Sequence, residues 1–322
     1  MARTRGAAPV SLPVLMLAGP TGAGKSDWAI RLAEHAAVEI VSVDSALVYR
    51  GMDIGTAKPN REILSRIPHH LVDICEPTES YSAGRFVNEA MGLIREIHGR
   101  NRVPLLVGGT MLYFRALLHG LAPLPKASAE LRQEIDARAE REGWPLLHAE
   151  LSRLDPQAAA RISPNDSQRI QRALEVCYET GRPLSELQKD TVSPLKGVPT
   201  KQWALVPGDR TVWHQRLERR FYSMLSAGFL EEVRALRNRG DLNADQPAIR
   251  AVGYRQLWEH LEGEVGLDEA TRRGITATRQ LAKRQVTWIR SEPLLQWLDP
   301  DATGSEASWN SDARLALREL GL

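Results

Sequence analysis

The stretch Gly19-Pro20-Thr21-Gly22-Ala23-Gly24-Lys25-Ser26 constrains this chain more than any other. It lies between an apolar run, Val14-Leu15-Met16-Leu17-Ala18, and a helix-compatible segment, Trp28-Ala29-Ile30-Arg31-Leu32-Ala33. Strand, glycine loop and helix, with the spacing G-x-x-x-x-G-K-[ST], make a P-loop. The glycines let backbone N–H groups approach phosphate oxygens, and the following helix aims its positive dipole end at the same point. Lys25 adds a mobile charge and Ser26 a hydroxyl ligand for Mg²⁺. The plain alternative, a glycine-rich turn that happens to carry a lysine, explains neither the strand before the loop nor the helix after it. A diphosphate or triphosphate site is therefore expected at Gly19 to Ser26. Whether the chain is a kinase, a nucleotide-driven machine or a transferase that expels diphosphate is left to the rest of the sequence.

Val38 to Asp44 reads as a second strand ending in a carboxylate. Parallel α/β sheets bind ligands beyond the carboxyl ends of their strands, so Asp44 is expected on the same rim as the P-loop. Ser45 to Pro59 reads as a rim loop with a short helical turn at Ser45 to Tyr49. His69 to Ile74 reads as a strand, and the helix begun at Tyr81 to Val87 closes near Gly99. Neighbouring histidines, His69 and His70, invite a metal reading, but in a strand they face opposite sides, which favours strand-edge polar residues. Val103 to Val107 is continuously apolar, as a strand buried on both faces should be. It ends in Gly108-Gly109-Thr110 where many P-loop NTPases carry a magnesium-holding Asp. These glycines are read as close backbone approach by a ligand. The fold class is α/β, a doubly wound parallel P-loop core of the kinase-like kind.

Beyond residue 120 the pattern turns to helices, at 130–141, 144–154 and 156–162, then Ser167 to Tyr178 capped by Asn165 or Asp166. We read 1–120 as the first part of the core, 121–200 as a helical insertion of the kind that forms lids, and 201–322 as core completion plus basic C-terminal helices. Trp203 to Val206 is the returning strand, with helices near 210–225, 230–238 and 267–291. At 322 residues, 43% hydrophobic and 25% charged, there is enough chain for a core domain and a smaller one. No segment has the length of a membrane span. The basic stretch Met1 to Pro9 is not read as a signal peptide. Cys75 and Cys177 form no metal or disulfide pattern, which fits a cytoplasmic protein and two small buried residues. Net charge is only +2, yet arginines concentrate in the second half: Arg169, Arg172, Arg216, Arg219, Arg220, Arg250, Arg255, Arg272, Arg273, Arg279, Arg284 and Arg290. Such clusters are the footprint of a polyanion, although a solvated helix face explains any one of them. Tyr254, flanked by Gly253 and Arg255, suits either stacking on a base or a core-packed helix start.

With these motifs placed, the sequence resembles the tRNA dimethylallyltransferases, also called isopentenyl-tRNA transferases. The resemblance runs from the P-loop through Asp44 to Pro59, Gly108 to Phe114 and Val252 to Gln256, ending at Ala277 to Arg290. The ordered set is specific where a P-loop alone is not. Departures are small: Gly22 and Ala23 at variable loop positions, and Ser26 for the Thr often found there, which keeps the hydroxyl. The resemblance implies transfer of a dimethylallyl group from dimethylallyl diphosphate to N6 of the adenosine 3′ to the anticodon, in tRNAs reading U-starting codons, with Mg²⁺ and release of diphosphate. It implies Asp44, Thr21, Lys25 and Arg255 as catalytic residues. Gly19, Pro20, Thr21, Gly22, Ala23, Gly24, Lys25 and Ser26 are implied to hold the donor diphosphate, with Ser26 on the metal. Thr110 is implied to help hold the target nucleotide, and Asp44, Ser45, Ala46 and Leu47 to bind tRNA beside it. Arg132, Gln168, Arg169, Ile170, Gln171 and Arg172 are implied along the tRNA path, as are Arg250, Ala251, Val252, Gly253, Tyr254, Arg255, Lys283, Arg284 and Arg290. A monomer is expected, with no membrane partner.

Residue chemistry agrees with that expectation. An adenine amine must lose a proton as its C–N bond forms, and a rim carboxylate, Asp44, can accept it. An allylic carbon leaves diphosphate most readily when the developing charge is neutralised, which suits Thr21, Lys25, Ser26, the loop amides and a magnesium ion. A nucleoside or small-metabolite kinase would use the same P-loop and lid, with Asp44 as base toward a hydroxyl. The basic C-terminal helices separate the two readings, because a small substrate has no use for them. An ATP-binding label fits the loop; the reading favoured here puts the donor diphosphate in it.

Overall fold

The computed structural model describes residues 12–125, 128–189 and 191–318. The basic stretch at 1–9 lies outside them. The chain divides into two compact units, one built from residues up to Arg115 together with those from Gly197 onward, the other from Ala116–Lys196.

The first unit holds a six-stranded parallel sheet in the order β3-β2-β4-β1-β5-β6, formed by β1 (Val14–Ala18), β2 (Val38–Val43), β3 (His69–His70), β4 (Val103–Gly108), β5 (Thr200–Leu205) and β6 (Gln296–Leu298). All residues of β1, β2 and β4 are buried, as central parallel strands covered on both faces require. Around the sheet run α1 (Lys25–Ala33), α2 (Arg61–Arg66), α3 (Ala83–Gly99) and α4 (Met111–His119). One face of the sheet packs Trp28 of α1, Trp203 of β5 and a fully buried Trp309, whose ring lies 5.4 Å from Trp28 and 6.2 Å from Trp203. On the α3 side, Phe86 stacks on Tyr113 at 4.5 Å.

In the second unit, α5 (Ala129–Glu142), α6 (Trp144–Leu154), α7 (Pro156–Ala159), α8 (Ser167–Thr180) and α9 (Leu184–Leu187) enclose Ile135, Leu147, Leu151, Ile170 and Leu174. Ser128, Asp155 and Asp166 each accept a backbone N–H at the start of a helix, so the choice between Asn165 and Asp166 falls to Asp166. The chain returns through α10 (Arg210–Ser226), α11 (Phe229–Asn238), α12 (Tyr254–Leu261), α13 (Leu267–Arg290) and α14 (Ser305–Arg318).

Two local expectations are corrected, and two elements appear that the sequence did not announce. The strand expected at His69 to Ile74 stops at His70, because Leu71 and Asp73 have φ of 60° and 55°, which an extended strand cannot contain. The segment instead braces the rim loop: Ile74 and Cys75 donate their N–H groups to Val48 O at 2.9 Å. Ser45 to Tyr49 forms turns around the Asp44 carboxylate, with no helical turn. β6 and α14 had no counterpart in the sequence reading; β6 is three residues long and its periodicity is too short to register.

The histidine pair is structural. His70 Nε2 lies 2.7 Å from the buried Glu39, which also receives Arg100, and His69 Nδ1 lies 2.8 Å from Ile67 O. Among the described residues no group of His, Cys, Asp and Glu could hold a metal ion by itself, and no helix is long and apolar enough to cross a membrane. Cys75 and Cys177 are both buried thiols.

Candidate active site

The carboxyl ends of β1, β2 and β4 open on a cleft of about 330 Å³ within the first unit. Its floor is the glycine loop. Gly24 precedes α1 in a left-handed conformation at φ 84° and offers no side-chain cap, so the first-turn N–H groups beside Lys25, Ser26 and Asp27 face the cleft, an anion-binding arrangement. Gly19 and Gly22 serve packing: a Cβ at Gly19 would lie 2.6 Å from Leu205 O, and one at Gly22 2.5 Å from Leu217. Lys25 Nζ donates to Pro20 O at 2.8 Å and is held inside the loop. Burial pulls its pKa down to about 8; the Asp44 carboxylate opposes the shift and the Arg220 guanidinium adds to it.

That shift has a measurable consequence. Free protein sheds the Lys25 proton as pH rises through about 8, so affinity for inorganic diphosphate is expected to fall across that range, as titration calorimetry at several pH values would show. The folded value lies below the ordinary 10.5, so between about 8 and 10.5 the unfolded chain binds the extra proton. Lys25 by itself therefore makes the free protein more stable as pH climbs through that window. Arg220→Ala is expected to move the midpoint upward.

Asp44 is half-buried at the end of β2, on the P-loop rim as expected. One carboxylate oxygen accepts the N–H groups of Ala46 at 2.8 Å and Leu47 at 3.4 Å, and the other makes no hydrogen bond to the described residues. Thr110 sits across from it: its Oγ1 accepts Ser45 N–H at 3.0 Å, and its own N–H donates to Val43 O. Thr21, Asp44, Ala46 and Leu47 line the cleft, while Ser45 and Thr110 stand beside it.

The glycines at the end of β4 line the cleft, and each also makes room for a protein group. A Cβ on Gly108 would lie 2.0 Å from Val43 O, and one on Gly109 2.3 Å from Gln285 Nε2. Gln285 enters from α13 and Trp213 from α10, and both hold Thr21. Gln285 Oε1 accepts Thr21 N–H at 2.9 Å, and Trp213 Nε1 donates to Thr21 O at 3.1 Å.

To the same cleft α10 contributes Leu217, Arg220, Phe221 and Met224, joined by Phe229, Val252 and Leu281. This apolar wall was not legible in the sequence. Arg220 is the guanidinium that reaches the cleft. Burial lowers its pKa, against the pull of Asp44 and Asp27, and it makes no hydrogen bond to another described residue. The available signal was an arginine inside the apolar i, i+4, i+7 stripe Leu217, Phe221, Met224. Arg255, expected among the catalytic groups, is exposed on α12 with its Nε 3.2 Å from Glu259, and does not line the cleft.

The other expected contacts divide. Tyr254 is 1% exposed, packs its ring on Phe229 at 4.8 Å and donates to Glu232; it is a core-packed helix start and cannot stack on a base from there. Glu232 accepts the N–H groups of Asp53, Ile54 and Gly55, so this core contact also shapes the rim loop. Gly253, at φ 92°, lets Phe229 approach, while Ala251 and Val252 line the cleft and Arg250 is exposed. Lys283, Arg284 and Arg290 are exposed cations on α13. In the second unit Ile170 is fully buried. Arg132 and Arg172 converge on the buried Glu175, Arg169 pairs with Asp166, Gln171 donates to Asp136, and Gln168 is exposed.

A phosphate loop and a strand-end carboxylate on one cleft, with apolar side chains beside them, define an α/β enzyme with a P-loop core. The family model described as IPP transferase matches residues 47–292. The chain belongs to that family. It is 56% identical over 292 residues to the tRNA dimethylallyltransferase of Methylococcus capsulatus, covering 91% of this chain and 94% of that one. It is 54% identical to the protein of that name from Alkalilimnicola ehrlichii, covering 91% and 92%. Among solved structures it is similar to the full-length tRNA isopentenylpyrophosphate transferase of Bacillus halodurans, with TM-score 0.70, 36% identity and coverage of 96% and 98%. It is also similar to a eukaryotic dimethylallyltransferase acting on tRNA, with TM-score 0.78, 29% identity and coverage of 95% and 78%.

Proposed function

We propose that this chain transfers the dimethylallyl group of dimethylallyl diphosphate to N6 of the adenosine 3′ to the anticodon in tRNAs reading U-starting codons. The observation that carries the reading is the cleft's mixed lining: phosphate-loop groups together with the apolar Leu217, Phe221, Met224 and Phe229, with Asp44 on the rim. A diphosphate with a short branched tail matches both parts. A phosphoryl group passing between polar substrates would leave the apolar wall without a role. The names borne by the relatives support the same reading.

In this mechanism the loop N–H groups, Lys25 and Arg220 hold the diphosphate and stabilise charge as the C–O bond breaks. N6 forms its bond to the freed allylic carbon and gives its proton to the unbonded oxygen of Asp44. The products are the alkylated base, diphosphate and a protonated Asp44, which solvent then resets. The target base must leave its stack to enter, which costs less in a loop than in a duplex. Mg²⁺ fits the residues present: Ser26 offers a hydroxyl at the start of α1, and such ions take most ligands from phosphates and water, needing no protein cage. When bound, it would neutralise diphosphate charge beside Ser26.

The test is incubation of purified protein, Mg²⁺ and labelled dimethylallyl diphosphate with unmodified tRNA, followed by nucleoside analysis. Label on N6 of the adenosine after the anticodon is expected. No label in tRNA, with phosphate passing from ATP to a nucleoside, would replace this reading with the kinase one.

A further inference from the structure

Two loops must be kept in register for a donor on one and an acceptor on the other to react. The phosphate loop follows β1 and carries Thr21; the β4–α4 connection carries Gly109 and Thr110. A single side-chain amide spans them. Gln285 accepts Thr21 N–H through Oε1 at 2.9 Å and donates to Gly109 O through Nε2 at 2.9 Å. The contact is close enough that a Cβ on Gly109 would stand 2.3 Å from Nε2, so the glycine there makes room for this amide. Trp213 also grips the Thr21 peptide, but its bond reaches the phosphate loop alone.

We infer that Gln285 is a positioning residue that sets the spacing between the donor loop and the acceptor loop. The inference rests on the proposed function, since it assigns the two loops to two substrates. An amide is the group the geometry requires. Its acceptor and donor sit on one planar group, and the loops present one N–H and one carbonyl. Leucine has neither, and a carboxylate keeps the acceptor but repels Gly109 O. Displacements of about 1 Å at a reacting pair cost on the order of a hundredfold in rate, so the loss belongs in kcat. The site also explains why a polar residue occupies the inner side of α13, next to the buried Ala282, Val286 and Ile289. The same helix carries the exposed Lys283 and Arg284 immediately before Gln285 in sequence, placing the tie on an element that a polyanion would touch.

The test is full-length protein with Gln285→Leu and Gln285→Glu, assayed by single turnover with tRNA and dimethylallyl diphosphate, alongside the Kd values for tRNA and inorganic diphosphate. Gln285→Leu is expected to lower the single-turnover rate about 30- to 100-fold, with both Kd values within about threefold of wild type. Gln285→Glu is expected to be similarly slow at neutral pH. Relative to wild type it should recover as pH falls, because the protonated carboxyl regains a donor for Gly109 O. A packing role predicts no such pH-dependent ratio. Gln285→Leu within about twofold of wild type, a Gln285→Glu ratio that stays flat with pH, or a loss carried by the Kd values would each overturn the inference. Should Gln285→Leu fail to fold, the pH ratio of Gln285→Glu decides alone. Wild-type protein that modifies no tRNA would overturn the proposed function and this inference together, whereas active wild type with indifferent variants overturns only this one.

Discussion

Asp44→Asn is expected to lower the single-turnover rate of tRNA modification by about 10²- to 10⁴-fold while leaving the protein folded and both substrates bound, the range typical of removing a positioned general base. The substitution separates two jobs that one carboxylate performs. One oxygen organises the rim loop by accepting Ala46 N–H and Leu47 N–H, and an asparagine carbonyl can do the same. The other oxygen is the proton acceptor, and an amide has no useful basicity there. Asp44→Ala removes both, so it should add a stability loss of about 1 kcal/mol for the orphaned loop groups, visible in thermal melts. Retention of more than about a tenth of the wild-type rate by Asp44→Asn would mean that the proton leaves by another route. Label in the tRNA of wild type but not of Asp44→Asn, with unchanged tRNA affinity in filter binding, is the expected pair of observations.

Arg220→Ala should cost about 10²- to 10³-fold in the same step, the usual loss when a fixed charge-stabilising group is removed. Arg255→Ala should change the rate by less than about threefold, because an exposed ion pair of this kind contributes little. The contrast is the informative result. Arg220 is half-buried among Leu217, Phe221 and the P-loop, with burial drawing its pKa down and no hydrogen bond to another described residue. A guanidinium held like that is costly to the free protein and favourable once an anion arrives, so Arg220→Ala should melt no lower than wild type even as activity is lost. Arg220→Lys should recover part of the rate, since a point charge replaces a fork that can grip two phosphate oxygens. Equal losses for Arg220→Ala and Arg255→Ala would overturn this assignment of the guanidinium.

Much of the phosphate side of the cleft was legible in the chain. Gly19 to Ser26 works through local geometry: φ-permissive glycines and a helix start depend on residues a few positions apart. Asp44 followed from a strand end, because the topology of parallel sheets carries the ends of successive strands to one rim. Helix bounds such as 111–119 and 144–154 were equally local, set by periodicity and caps. Glycines were legible as sites of close approach but not as to what approaches. Gly108 and Gly109 meet Val43 O and the Gln285 amide, partners distant in sequence.

What the sequence determined by itself was therefore the class of fold, the phosphate loop and the carboxylate across from it, since each is written in residues near one another. The tertiary structure decided which arginine enters the cleft, that Tyr254 serves the core, where the apolar wall stands, and that one amide spans two loops. Those outcomes depend on how helices α10 to α13 turn as they pack on one another. A rotation of one residue, about 100° around a helix, exchanges a solvated arginine for a buried one without altering composition or overall pattern.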